Sequence, residues 1–266
     1  MKLEILLSCM HHSDLSIVKK SGITGNVLVI NQCDKNDYLE KQCNKRSIRM
    51  ISTTERGLSR SRNKAINNSL GDICLLSDDD EIFVPNYEQI VLEAYKELPD
   101  ADIIAFDVEN KETRLPERIQ KVGYLKSLKL SSCQLTFRRD TVLKNGLFFD
   151  PYMGAGSGNG CSEENKFLLD CLNAKLKIYY VPKTVAVLDD SESTWFSGFD
   201  EQFFYQRGGA TRYMMGMPMA LLYGFYYLIA KRRIYRPTIS TRNATFQLLS
   251  GILENPIKRK GEKQPR

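Results

Sequence analysis

The sequence predicts an α/β fold, a mixed and mainly parallel sheet flanked by helices, followed by a basic helical extension at the carboxyl end. Three observations carry that expectation. Short apolar runs alternate with helical patterns through the first half, a cluster of acids directly follows one of those runs, and positive charge is concentrated in the last sixty residues. Alternation of this kind marks a parallel sheet with crossover helices.

The expected strands are Leu3 to Ser8, Val27 to Asn31, Ile48 to Thr53, Ile73 to Ser77 and Ile103 to Val108. Helices are expected at Leu15 to Lys20, Asp37 to Asn44, Leu58 to Ser69 and Pro85 to Leu98, the last with proline in the first turn, where its missing N–H is harmless. From about Asn110 to Leu130 the pattern is charged and irregular (Lys111, Glu112, Arg114, Glu117, Arg118), which reads as a mobile surface insertion. A second block runs from Ser131 to about Asp200. With 266 residues, 42% hydrophobic content and no internal repeat, one large α/β domain is expected over residues 1–210, with 211–266 as a helical basic tail.

Cys9, Cys33, Cys43, Cys74, Cys133, Cys161 and Cys171 are scattered, odd in number and form no C-x-x-C pair. That argues against a disulfide framework or a zinc site and points to a reducing, cytosolic compartment. The start of the chain does not look like a signal peptide, because the apolar stretch to Ser8 is followed at once by Cys9-Met10-His11-His12-Ser13.

Net charge is +6, but residues 1–206 carry 26 basic and 30 acidic side chains, whereas residues 207–266 carry 12 and 2, a surplus of +10. Such a segment attracts polyanions, either nucleic acid or an anionic bilayer. Within it Tyr213 to Ala230 is mostly apolar and aromatic and ends in Lys231-Arg232-Arg233 and Arg236. Its eighteen residues lie near the lower limit for a spanning helix, and Gly216, Pro218 and Gly224 weaken that reading. A helix lying in the membrane interface over residues 213–236 is expected, the alternative being a helix packed on the core or on a second subunit.

Asp78-Asp79-Asp80-Glu81 follows the apolar run Ile73 to Ser77, so carboxylates crowd the carboxyl end of a buried strand, where open α/β sheets bind ligands. Like charges so close need a counter-charge. Mg²⁺ or Mn²⁺ would supply it, held by one or two carboxylates and substrate phosphates, and this implies a diphosphate ligand. The plainer reading is a solvated acidic turn before the helix near Pro85. Upstream, Glu55-Arg56-Gly57-Leu58-Ser59-Arg60-Ser61-Arg62-Asn63-Lys64-Ala65-Ile66 opens a helix with three arginines and two hydroxyls, a composition suited to phosphate or to an ordinary capped helix start.

Together these segments resemble the family 2 glycosyltransferases with the GT-A fold, in which a Gly-Leu-Ser-Arg-x-Arg-Asn-x-Ala-like helix precedes a strand ending in an Asp-x-Asp metal motif. Asp78-x-Asp80 takes that place here. The resemblance continues at Cys133-Gln134-Leu135-Thr136-Phe137-Arg138-Arg139, at Phe148-Phe149-Asp150, at Gly154-Ala155-Gly156-Ser157, and at Ser162-Glu163-Glu164-Asn165-Lys166-Phe167. It covers about residues 1–210 and is nearest to bacterial capsule and surface-polysaccharide transferases.

The resemblance implies an inverting, metal-dependent transfer from a nucleoside-diphosphate sugar, with UDP expected, to a glycan or lipid-linked glycan. Asp78 and Asp80 are implied as metal ligands, with Ser8, Asn31, Asp34, Ser59, Arg62, Asp78 and Asp79 around the donor. Relatives carry an acidic Glu-Asp pair whose second member is the catalytic base; Glu163-Glu164 stands there in this chain, which gives the base role to Glu164 with Glu163 as fallback. As first-turn acids both would also favour the helix start. A late histidine often completes the metal shell in relatives, but no histidine follows residue 12, and Asp189 or Asp190 lies nearest that place. His11 and His12 read as loop residues. The alternatives are a sugar-nucleotide nucleotidyltransferase, which would want a glycine-rich loop where Ser8 to Ser13 has no glycine, and a non-enzymatic membrane- or nucleic-acid-binding module built on the tail.

Overall fold

The computed structural model describes residues 1–43, 46–111, 115–157, 159, 162–189 and 198–257. Contacts divide the chain into two units, one taking in Met1–Phe149 and Glu164–Ser193, the other Asp150–Glu163 and Thr194–Arg266.

The first unit runs β1 (Leu3–Met10), α1 (Ser16–Lys20), β2 (Asn26–Gln32), β3 (Asp37–Cys43), β4 (Arg46–Thr53), α2 (Leu58–Asn68), β5 (Ile73–Asp78), β6 (Glu81–Phe83) and α3 (Tyr87–Glu97). It continues with β7 (Ile103–Glu109), β8 (Gln120–Lys121), α4 (Tyr124–Ser127), a 3₁₀ turn at Ser132–Gln134, β9 (Leu135–Arg138), α5 (Arg139–Lys144), α6 (Glu163–Asn173) and β10 (Ile178–Leu188). The strands form one sheet in the order β3-β4-β2-β1-β5-β9-β7-β10-β6, with β8 beside β10. β4, β2, β1 and β5 are mutually parallel, as are β7 and β10, while β9 is inserted antiparallel between β5 and β7.

Alternation along β1 explains why helices cover both faces. Leu3, Ile5 and Leu7 join a core with α1 and α3, and Leu6 points the other way into a core with α2, α5 and α6. A strand buried on both sides reads as an unbroken apolar run, which is why β1, β2 and β5 are recognisable in the sequence.

Three expectations are corrected. Residues Asp37 to Cys43 are a strand, antiparallel to β4, and not a helix. Residues 37–42 are exposed, so no apolar face marks the strand; its backbone completes the edge of the sheet, and its charges guard that edge. Pro85 lies outside α3, ahead of the N-cap Asn86. The stretch expected to be a mobile insertion instead carries β8 and α4 and buries Leu115, Val122 and Leu130, while Glu112 and Arg114 fall outside the described residues.

The second unit holds α7 (Glu201–Ala230), α8 (Arg232–Tyr235) and α9 (Thr241–Glu254). The expected domain boundary at residue 210 lies inside α7. Asp200 caps α7 by accepting from the Phe203 N–H at 2.7 Å, and Ser240 caps α9 through the Asn243 N–H at 3.2 Å. The two long helices cross at glycine: a Cβ on Gly251 would collide with the Tyr205 carbonyl, and one on Gly208 with the Leu248 carbonyl. α7 breaks at Gly216, whose φ of 76° and ψ of 173° are not helical.

Candidate active site

The site forms at the carboxyl ends of β1 and β5. β1 is flanked by β2 on one side and β5 on the other, so the chain leaves β1 in one direction and returns on the opposite side, which opens a crevice beyond the strand ends. Ser8 and Asp78 are register partners there. The Ser61 hydroxyl of α2 donates to the Ser8 oxygen at 2.9 Å, fixing the first turn of α2 against β1.

Arg62, next along α2, is 2% exposed. Its Nη2 lies 3.1 and 3.2 Å from the two carboxylate oxygens of Asp78 and donates to Ser132 Oγ at 2.8 Å. Its guanidinium also sits 5.3 Å from the Phe149 ring centroid. Asn63 clamps the Phe149 backbone, donating to its carbonyl at 2.7 Å and accepting from its N–H at 2.8 Å. The Ser-Arg-Asn segment of α2 therefore holds three separate stretches of chain around Asp78.

After Asp78 the chain turns sharply into β6. The Glu81 carboxylate, 1% exposed, accepts from the Asp78 N–H at 3.0 Å through Oε1, while its Oε2 has no hydrogen-bond partner among the described residues. Burial, and then the charge of Asp78, raises the Glu81 pKa well above the ordinary carboxylate value. Asp79 and Asp80 are raised too, by partial burial first and neighbouring acids after it. Asp79 feels the charges of His12 and Lys20, whereas Asp80 feels Lys111. The Asp80 carbonyl accepts from the Asp189 N–H at 2.8 Å, so the end of β10 lies directly beside the acidic turn.

The profile of Glycosyl transferase family 2 matches residues 16–156, more than half of the chain. The chain belongs to this family. Its fold is likewise that of solved glycosyltransferases. The S. aureus TarS 1-349 structure is 13% identical with a TM-score of 0.62, covering 97% of this chain and 83% of that one. The same protein in complex with UDP-GlcNAc is 16% identical over 90% and 74% with a TM-score of 0.60. The mannosyltransferase PcManGT from Pyrobaculum calidifontis, in complex with GDP-Man and Mn²⁺, is 11% identical over 96% and 87% with a TM-score of 0.54. No curated protein matches in sequence.

This family 2 glycosyltransferase has the GT-A fold expected from its motifs. Arg62 and Asp78 meet directly, Ser8 is the register partner of Asp78 on the neighbouring strand, Asp79 and Asp80 lie on the following turn, and Ser59 is buried one turn earlier in α2. Among the described residues, Asn31 and Asp34 find their partners outside that cluster. The Asn31 amide donates to the His12 carbonyl at 2.6 Å and accepts from the His12 N–H at 3.0 Å, pinning the loop after β1. A carboxylate could not make the first of those bonds. Asp34 is exposed and pairs with Arg56 at 2.7 Å.

In the transferase α6 begins at Glu163, with Glu164 half-buried in its first turn. Glu163 is 8% exposed and packs on Gly154, where an added Cβ would come within 3.0 Å of the Glu163 carboxyl carbon. Gly154 has a φ of 89°, so the loop needs glycine both for its backbone and for this approach.

Ser132 and Glu81 were not singled out as site residues from sequence. Ser132 adjoins the Cys133-to-Arg139 motif, which was the available signal. No group of three or more His, Cys, Asp or Glu side chains converges as a metal cage among the described residues. A hard cation held by one or two carboxylates and a diphosphate does not require such a cage. Half-buried Asp79 and Asp80, with pKa values raised by desolvation first and by neighbouring acids after it, suit such an ion. Asp190 lies outside the described residues.

Proposed function

We propose that this glycosyltransferase moves a sugar from a nucleoside-diphosphate donor, UDP-linked in the first instance, to a glycan or lipid-linked glycan hydroxyl with inversion at the anomeric carbon. The observation that carries the reading is the acidic turn Asp78–Asp80: a crowded set of carboxylates, partly desolvated at the carboxyl end of β5, with Arg62 as buried counter-charge on one side only. Mg²⁺ or Mn²⁺ would be held by Asp80 and Asp78 together with the donor's diphosphate, and would supply positive charge opposite the leaving group.

Arg62 holds Asp78 in place. Ser8, Ser59 and the amino end of α2 border the space for the nucleotide, and Asn31 shapes it by fixing the loop at His12. During transfer the acceptor oxygen bonds to the anomeric carbon as the bond to the diphosphate oxygen breaks, and the hydroxyl proton passes to a carboxylate. Glu164 is that base in this reading. It is more accessible than Glu163, whose carboxyl is packed against Gly154. UDP-GlcNAc bound to TarS and GDP-Man with Mn²⁺ bound to PcManGT support a nucleotide-sugar donor. A role in surface-polysaccharide synthesis rests on the sequence resemblance.

The experiment is a screen of UDP-, GDP- and TDP-sugars for donor hydrolysis with Mn²⁺ present. Hydrolysis of one nucleotide class above the no-enzyme rate is expected. Hydrolysis of none, by folded protein, would contradict the reading.

A further inference from the structure

α7 carries a stripe of exposed apolar side chains after its break at Gly216. Met219, Leu222, Phe225, Tyr226 and Ile229 are between 46% and 76% exposed. Their spacing of three and four residues places them on one helical face. The opposite face is spent on folding: Ala220, Gly224, Tyr227 and Leu228 are buried, and Gly224 lies against the Leu248 side chain of α9. The stripe is therefore not the core side of this helix turned outward by accident of packing.

Charge identifies what would cover it. Directly beyond Ile229 come Lys231, Arg232, Arg233 and Arg236, of which the three arginines are exposed, and Ile234 between them is 52% exposed. No acidic residue occurs between Glu201 and Glu254, while Arg207, Arg212 and Arg242 add to the positive charge. An aromatic and aliphatic stripe that ends in exposed arginines matches an acyl boundary beneath anionic headgroups.

The geometry also decides between lying on the bilayer and crossing it. α7 as a whole has the length and composition of a span, with a mean hydropathy of 1.2 over its most apolar window. The backbone break at Gly216 divides it, and Arg207 and Arg212 occupy the part before the break. The apolar piece from Met217 to Ala230 rises only about 21 Å at 1.5 Å per residue, short of a hydrocarbon core of about 30 Å.

We infer that the second half of α7 and the arginines of α8 form a docking face for an anionic lipid surface, with the helix lying in the interface plane. The inference is independent of the donor and of the catalytic residues.

The test is flotation of the full chain with vesicles of phosphatidylcholine alone and of phosphatidylcholine with phosphatidylglycerol, at low and high salt. Wild type is expected to float with the anionic vesicles and to be weakened by salt. Leu222→Glu with Ile229→Glu should abolish flotation, and since both side chains are exposed, the circular dichroism spectrum and donor hydrolysis should not change. Arg232→Gln, Arg233→Gln and Arg236→Gln together should weaken binding to anionic vesicles by roughly fivefold per arginine, leaving any binding to neutral vesicles unaffected. Equal flotation of wild type and both variants would overturn the inference. So would a stable dimer that ignores vesicles and dissociates on Leu222→Glu with Ile229→Glu, because the face would then belong to a second copy.

Discussion

Arg62 Nη2 lies 3.1 and 3.2 Å from the two carboxylate oxygens of Asp78, and the arginine is almost wholly buried. A buried cation on one side of an acidic turn fixes where the first carboxylate sits and, among the described residues, leaves the following two without a fixed partner of comparable burial. The pair is thus a positioning device for the acids that would face the donor.

Removing the arginine should leave Asp78 uncompensated. Asp78 keeps 29% of its side chain exposed, so Arg62→Ala is expected to destabilise the protein by about 1–3 kcal/mol in urea unfolding, below the roughly 3–5 kcal/mol of a pair buried on both sides. Adding Asp78→Asn to Arg62→Ala should restore part of the loss, because the unpaired charge is gone. Strictly additive losses would mean that the two side chains are not energetically coupled.

Glu81 gives the turn a pH dependence whose sign follows from its raised pKa. The folded state holds the Glu81 proton at pH values where the unfolded state has released it. The penalty for the buried charge is therefore present at high pH and is relieved as pH falls through the raised folded value toward the ordinary 4.5. Glu81→Gln removes this term while keeping an acceptor for the Asp78 N–H. Its Tm is expected to exceed wild type at neutral pH, with the gap closing toward pH 4.5. A constant gap across that range would show that the charge of Glu81 is not what the folded state opposes.

The crossing of α7 and α9 depends on glycine. Gly251→Ala would drive a methyl into the Tyr205 carbonyl, and backbone atoms yield less readily than side-chain ends. A loss of roughly 1–3 kcal/mol is expected from such overpacking, read as a lower Tm. Gly224→Ala meets the side-chain ends of Leu248 and Ile252 and no backbone, and should cost less. The reverse ranking would mean that the helices do not cross at Gly251.

Glu164→Gln separates a base from a helix-terminal charge. As the base, Glu164 should be dispensable for donor affinity, and the substitution should lower transfer by about 10²- to 10⁴-fold. A purely structural Glu164 would lose only about 0.3–1 kcal/mol of stability with turnover per folded molecule intact. Calorimetric donor affinity and transfer rate on the same preparation distinguish the two.

How far the sequence reveals this molecule depends on whether a residue's role is written in its neighbours. β1, β2 and β5 are legible because strands buried on both faces need long apolar runs, and the acids after Ser77 stand out against one. β3 is not legible, since Asp37 to Gln42 face solvent and only the free edge of β4 makes them a strand. Glu81 extends an acidic run and looks solvated, yet the turn after Asp78 carries it into the interior. The Arg62–Ser132 contact joins residues seventy positions apart, a pairing that local pattern cannot reveal. Asn31 is expected around the donor from the sequence resemblance, whereas its amide is committed to the His12 backbone.

The measurement that bears most directly on the central claim is calorimetric titration of a UDP-sugar, or of the donor class selected by the hydrolysis screen, into wild type and Asp80→Asn, each with Mn²⁺ and with chelator. Asp80 is half-buried, its charge opposed by desolvation and by Asp78, so a cation arriving with the diphosphate should relieve it. Wild type is expected to bind the donor with Mn²⁺ and to bind it at least about tenfold more weakly in chelator, and Asp80→Asn should bind weakly in both. Equal donor affinity in all four titrations, with wild-type transfer retained in chelator, would contradict a metal-dependent transferase built on the Asp78–Asp80 turn.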